Sequence, residues 1–107
     1  MIDDEVITKM LLHAKIPSHL SGFHYLRTGV QLYKGRPFAR LVYDIYPLIA
    51  AEYATASTNV ERCIRNAIRQ AWERGMGDVL ELNQRPTNGE FMMLIMELLN
   101  VQYSSSM

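Results

Sequence analysis

Arg62, Arg65, Asn66 and Arg69 stand three or four residues apart along one stretch of chain, so a helix there carries them on one surface. Their chemistry suits a DNA groove. An arginine guanidinium donates two hydrogen bonds to guanine O6 and N7, an asparagine amide pairs bidentately with adenine, and a helix N-terminus holds a phosphate. Arg62, Arg65 and Asn66 are the candidates for base or groove contact, and Arg69 and Lys34 those for phosphate. On the other side Val60, Ile64, Ala67, Ile68, Ala71 and Trp72 recur at helical spacing and predict a buried stripe. Charge on a helix face is more often a solvated surface, and Glu61 and Glu73 are close enough in sequence to pair with these arginines. Spacing alone leaves both readings open.

The helix needs a partner to brace it, and the residues before it supply one. Pro47 suits a first helical position, where its missing N–H costs nothing, and predicts a short helix to about Tyr53 that buries Leu48, Ile49 and the Tyr53 ring. Thr55, Ala56 and Ser57 then make a turn. Thr58-Asn59-Val60-Glu61 fits a capping box, with the Thr58 hydroxyl and the Glu61 carboxylate satisfying N–H groups at the start of the next helix. The pair reads as a helix-turn-helix at about 47–75, with the helix from 58 to 75 in the groove. Further helices are expected near 3–15, 22–34, 37–46 and 88–102, with a short helical turn around 77–83 and no strand. Thr87-Asn88-Gly89-Glu90 offers a second capping box for the last helix. The expected fold class is all-α, a compact bundle of about six helices.

Several separated motifs, in order along the chain, resemble one family. The run Tyr46-Pro47-Leu48-Ile49-Ala50, then Val60-Glu61-Arg62 with Ile64-Arg65 and Ala67-Ile68, then Ala71-Trp72 with Arg74-Gly75, are similar to the C-terminal DNA-binding effector domain of the sporulation initiation response regulator, the stage 0 sporulation protein A family. Ile16-Pro17 with His19, Ser21-Gly22 and Tyr25-Leu26-Arg27 resemble its first inter-helix segment. Pro86-Thr87-Asn88 with Glu90-Phe91 resembles the start of its last helix. The resemblance runs from about Val6 to Val101. It implies a winged-helix-like effector without a sheet that regulates transcription by binding double-stranded DNA, with Thr58, Asn59 and Glu61 joining Arg62, Arg65, Asn66, Arg69 and Lys34 in the DNA-binding set.

It also implies pairing of two domains as a homodimer on tandem boxes, a surface that meets the sigma subunit of RNA polymerase, and control by a phosphoacceptor receiver domain that this chain does not contain. Three departures stand out. Asn59 occupies a position where the family usually has an arginine, Asn66 one where it commonly has a histidine, and the connection after Arg74-Gly75 is several residues shorter. A different favoured DNA sequence follows from the first, weaker phosphate affinity from the second, and an altered polymerase-facing region from the third.

Composition sets outer limits. The 107 residues, 49% of them hydrophobic, suffice for one domain over 1–107. The formal net charge is zero, so any basic field is local. Residues 58–74 hold four basic and two acidic groups, whereas residues 75–107 hold one and four. Lys34, Arg36 and Arg40 extend the basic set toward phosphate. Cys63 is the single cysteine, which excludes an intramolecular disulfide and leaves too few ligands for structural zinc. A reducing cytoplasm suits it, and no stretch approaches the roughly 18 apolar residues of a membrane span.

His13, His19 and His24 lack the spacing of a metalloprotease, and no nucleophile, phosphate cradle or acid/base pair is visible, so an enzyme and a cofactor are not expected. Cys63 and Trp72 read as packing residues, Trp72 as a core anchor. Tyr43 and Tyr46 suit either phosphate contact or half-buried packing. Met92, Met93, Met96, Leu94, Leu98 and Leu99 load the last helix as core or as a dimer face. The alternative function is a protein-interaction module that keeps the fold and no longer reads DNA.

Overall fold

In the computed structural model, which describes residues 4–36 and 38–105 with side chains as far as residue 100, the amphipathic segments become six α-helices. These are α1 (Asp4–His13), α2 (Ser21–Lys34), α3 (Tyr46–Glu52), α4 (Ser57–Glu73), α5 (Met76–Leu80) and α6 (Asn88–Ser105). A π turn, Leu41–Ile45, leads directly into α3. The fold is an all-α bundle, and among the described residues there is no strand.

The core follows from which face each helix cannot leave in water. Ile7 and Leu11 of α1, Phe23, Leu26 and Val30 of α2, Ile49 of α3, Ile64 and Ile68 of α4, and Phe91, Met92, Ile95 and Leu99 of α6 are all within 2% of full burial. Each such side chain withdrawn from water stabilises the fold by about 1.5–3 kcal/mol before chain entropy is subtracted. α2 is the spine: it packs on α1, α3, α4 and α6. Arg27 ties it to α1, donating to the Thr8 hydroxyl at 2.9 Å, with His24 Nδ1 at 3.2 Å and the Phe23 ring beneath the guanidinium.

Two glycines of α2 set its distances to neighbours. A Cβ on Gly22 would lie 2.3 Å from the Cys63 carbonyl oxygen and 2.8 Å from the Ala67 Cβ, so this glycine lets α2 and α4 touch backbone to backbone. At Gly29 a Cβ would instead meet the terminal methyl of Met92.

The helix expected over 37–46 takes another form. Pro37 lies outside the described residues, the chain turns at Arg36 and Ala39, and among the described residues the segment becomes helical at Leu41, as a π turn over Leu41–Ile45 that runs into α3, with the Tyr46 N–H reaching back five residues to the Leu41 carbonyl. Pro47 has no N–H to return to residue 43, and a widened turn just before it absorbs that loss. Asp44 fastens the turn by accepting the Arg40 N–H at 2.7 Å, which holds its carboxyl below the usual carboxylate range.

Within α3 burial also differs from expectation. Tyr46, Ile49 and Ala50 point inward, whereas Leu48 and Tyr53 are 39% and 38% exposed. The helix starts one residue before Pro47, which turns Tyr46 into the core in place of Leu48. Tyr53 packs edge-on against Tyr25 and meets the Thr28 hydroxyl at 2.7 Å.

Three helix ends close through a non-glycine residue with positive φ: Lys15 (74°), Ala54 (54°) and Glu81 (56°). At Ala54 the two reversed hydrogen bonds of this end motif are both present, Thr55 N–H to the Ala50 carbonyl at 2.9 Å and Ala54 N–H to the Ala51 carbonyl at 3.5 Å. The left-handed conformation costs an L-residue about 1–2 kcal/mol, and glycine returns part of that through its freer unfolded chain. Ala54→Gly is therefore expected to raise stability by about 0.5–1 kcal/mol, read as an upward shift in the urea midpoint. An unchanged or lower midpoint would contradict it.

Candidate nucleic-acid interface

α3, the turn Tyr53–Ala56 and α4 form the helix-turn-helix, and α4 has two unlike sides. Val60, Ile64, Ala67, Ile68 and Ala71 are buried, as the spacing indicated. Trp72 is half-buried against the core, its ring covering Gly77 at the start of α5. Arg62, Arg65 and Arg69 are exposed on the other side, with Asn66 partly exposed between them. A buried back on a rigid bundle holds this polar front at a fixed height above the surface.

The front is organised as a ladder of contacts within the helix. The Arg62 guanidinium donates to Asn59 Oδ1 at 2.6 Å, Arg65 donates to the Glu61 carboxylate, and Arg69 donates to Asn66 Oδ1 at 2.6 Å and to Glu73 at 2.9 Å. Asn59 reaches back in turn, its amide donating to the Thr55 hydroxyl at 2.9 Å in the turn. Exposed pairs three and four residues apart contribute only about 0.2–0.5 kcal/mol each. A phosphate or base edge therefore displaces them at small cost, and until then they hold the side chains extended along the helix.

Thr58 and Glu61 behave differently from the capping box expected of them. α4 begins at Ser57 with Ala56 as its N-cap, and no side chain caps it. With its N-cap two residues earlier than that box requires, α4 has Thr58 inside the first turn, exposed, and Glu61 is taken by Arg65. The same sequence pattern does form at α6, where the Thr87 N–H donates to Glu90 Oε1 at 2.8 Å and the Glu90 N–H to Thr87 Oγ1 at 3.2 Å. Asn88 then locks α6 to the helix-turn-helix: its amide donates to the Tyr46 hydroxyl at 2.9 Å and to the Glu61 carbonyl at 3.1 Å. Burial raises the Tyr46 phenol above its ordinary pKa against the pull of that Asn88 bond. Of the two tyrosines with open readings, Tyr46 is thus a buried packing residue, and Tyr43 is exposed with Arg40 stacked on its ring.

Of the eight residues singled out from the sequence, Thr58, Asn59, Glu61, Arg62, Arg65, Asn66 and Arg69 share α4. Lys34 does not join them. It sits at the far end of α2, twelve residues and so about 18 Å beyond the Gly22 contact with α4, and it reaches the Asn100 amide oxygen of α6 at 3.4 Å. In its place the structure brings Arg85, from the α5–α6 connection, to the edge of the arginine front beside Arg62, Arg65, Asn66 and Arg69. Sequence spacing gave no reason to group Arg85 with α4. The signal available was that Arg85 is the single basic residue after Arg74. Cys63 is half-buried, its thiol 3.6 Å from Asn59 Oδ1, beside Ser21 and Gly22 where α2 meets α4.

An all-helical bundle with a short brace, a four-residue turn and a longer helix presenting arginine and asparagine outward is a helix-turn-helix domain. The family model for the sporulation initiation factor Spo0A C-terminal domain matches residues 7–99, most of the chain, and the protein belongs to that family of DNA-binding transcription regulators. No helix among the described residues is long and apolar enough to cross a membrane.

Proposed function

We propose that this domain reads a specific DNA sequence by laying α4 in the major groove, with α3 bracing it across the backbone. The observation that carries the reading is the division of α4 into a fully buried back and an exposed front of three arginines and an asparagine. Arg62, Arg65 and Asn66 meet base edges, Asn59 and Glu61 orient them or reach adjacent bases, and Thr58 and Arg69 meet phosphates. Lys34, at the far end of α2, contributes only if the duplex bends toward it. Because Asn59 stands where the family usually has arginine, the favoured sequence differs from the usual one. Two domains on tandem boxes bind far more tightly than one, by the arithmetic of effective concentration. The short region after Gly75 faces the sigma subunit, and the cytoplasm is the setting.

Fluorescence anisotropy of a labelled duplex with two tandem family-type boxes, against a scrambled duplex of equal length, tests this. Preference for the boxes is expected, with a slope of log affinity on log salt on the order of −3 for three or four phosphates. Arg65→Ala is expected to cost roughly 1–3 kcal/mol of binding to the boxes and much less on the scrambled duplex. Equal loss on both would make Arg65 a phosphate ligand. The second reading, a protein-interaction module, draws on the pairing of the Arg62, Arg65 and Arg69 side chains within the helix and the zero net charge. Absence of binding to either duplex at low salt would favour it.

A further inference from the structure

Arg85 differs from the other arginines at the front of α4 in two respects. It comes from outside the helix-turn-helix, and it has no hydrogen-bond, ion-pair or ring partner among the described residues, whereas Arg62, Arg65 and Arg69 are each held by an acceptor on their own helix. With Arg65 it walls a cleft of about 450 Å³ that also includes Glu61, Thr87 and the buried Tyr46. The Glu61 carboxylate and the Arg65 guanidinium compensate each other there. Arg85 supplies the surplus positive charge.

The backbone carrying Arg85 is also fixed. Pro86 limits the rotation next to it, the Thr87–Glu90 box closes the start of α6, and Asn88 bonds at once to Tyr46 and to the Glu61 carbonyl. Three residues from that lock, Arg85 keeps a constant distance from α4 while its exposed guanidinium stays free to turn outward. A planar fork with no competing acceptor is suited to a phosphodiester oxygen pair.

We propose that Arg85 grips a backbone phosphate at the flank of the groove that α4 enters, so that a second element outside the helix-turn-helix sets the depth and register of the reading helix. The inference rests on the DNA-binding reading of α4. It assigns Arg85 to positioning, with no part in choosing bases.

The test is anisotropy on the tandem-box and scrambled duplexes over a salt series, for the wild-type chain, Arg85→Ala and Arg85→Lys, with circular dichroism to confirm that each variant is folded. Loss of one phosphate contact makes the salt slope shallower by about 1 and, near 0.1 M salt, weakens binding roughly eightfold. Arg85→Ala is expected to show both changes equally on the two duplexes, leaving their ratio intact, and Arg85→Lys to keep the wild-type slope. Wild-type affinity and slope in Arg85→Ala would overturn the clamp and leave the role of α4 standing. A loss confined to the tandem boxes would overturn it in favour of base reading. Failure of the wild-type chain to bind either duplex would remove the reading of α4 and the clamp together.

Discussion

Replacing Gly22 by alanine is expected to destabilise the fold by about 3 kcal/mol or more, the upper end of what overpacking costs. The reason is the nature of the atoms in the way. A Cβ at this position would stand 2.3 Å from a carbonyl oxygen and 2.9 Å from a carbonyl carbon, both of Cys63, and α4 cannot move that backbone aside without shifting the entire reading helix. Helix propensity works the other way, since alanine is favoured over glycine inside a helix by about 1 kcal/mol, and it does not compensate. At about 5 °C per kcal/mol for a chain of this size, the melting temperature falls by roughly 15 °C.

Gly29→Ala is the internal comparison. The closest atom there is the end of a flexible methionine, which can swing away, so that variant should stay within about 1 kcal/mol of wild type. Thermal unfolding of both, followed by far-ultraviolet circular dichroism, separates them. Equal small shifts would mean that the α2–α4 approach relaxes without cost.

Gly22 also shows where sequence reading reaches its limit. As a sequence feature it marks a helix start, and α2 does begin beside it, at Ser21. Its role in the fold is the close crossing with α4 at Cys63 and Ala67, more than forty residues further along, and no local pattern encodes that distance. The buried stripe of α4 and the capping box of α6 were legible because both depend on neighbours three or four residues away. The box at Thr58–Glu61 has the same local pattern and failed, since the register of α4 is set by its packing on α2 and α3 and Arg65 takes the carboxylate. Pro47 likewise announced a helix start, and its missing N–H accounts for the π turn before it, yet the inward rotation of Tyr46 depends on Asn88 and the core.

The candidate interface divides along the same line. Arg62, Arg65, Asn66 and Arg69 could be grouped from spacing because one helix carries them all. Lys34 and Arg85 could not be sorted, because their placement depends on how α2 and the α5–α6 connection are folded against α4. Lys34 lies on the helix that crosses α4 yet is left far from the front, whereas Arg85, from outside the helix-turn-helix, is brought to it.

Ile64→Ala is the complementary expected result, acting on the back of α4 where Arg65→Ala acts on the front. Ile64 is fully buried in the stripe facing the core, and removing its three outer carbons leaves a cavity as well as losing their burial. Such substitutions cost about 2–5 kcal/mol, which lowers the melting temperature by roughly 10–25 °C. The guanidinium ladder on the opposite side is built from contacts within α4 and should survive in the molecules that remain folded. At a temperature well below the new midpoint, the salt slope of DNA binding should therefore match that of the wild type, with any loss of affinity equal to the unfolded fraction. A shallower slope in Ile64→Ala would show that the front depends on core packing for its shape, and that the two sides of α4 are not separable.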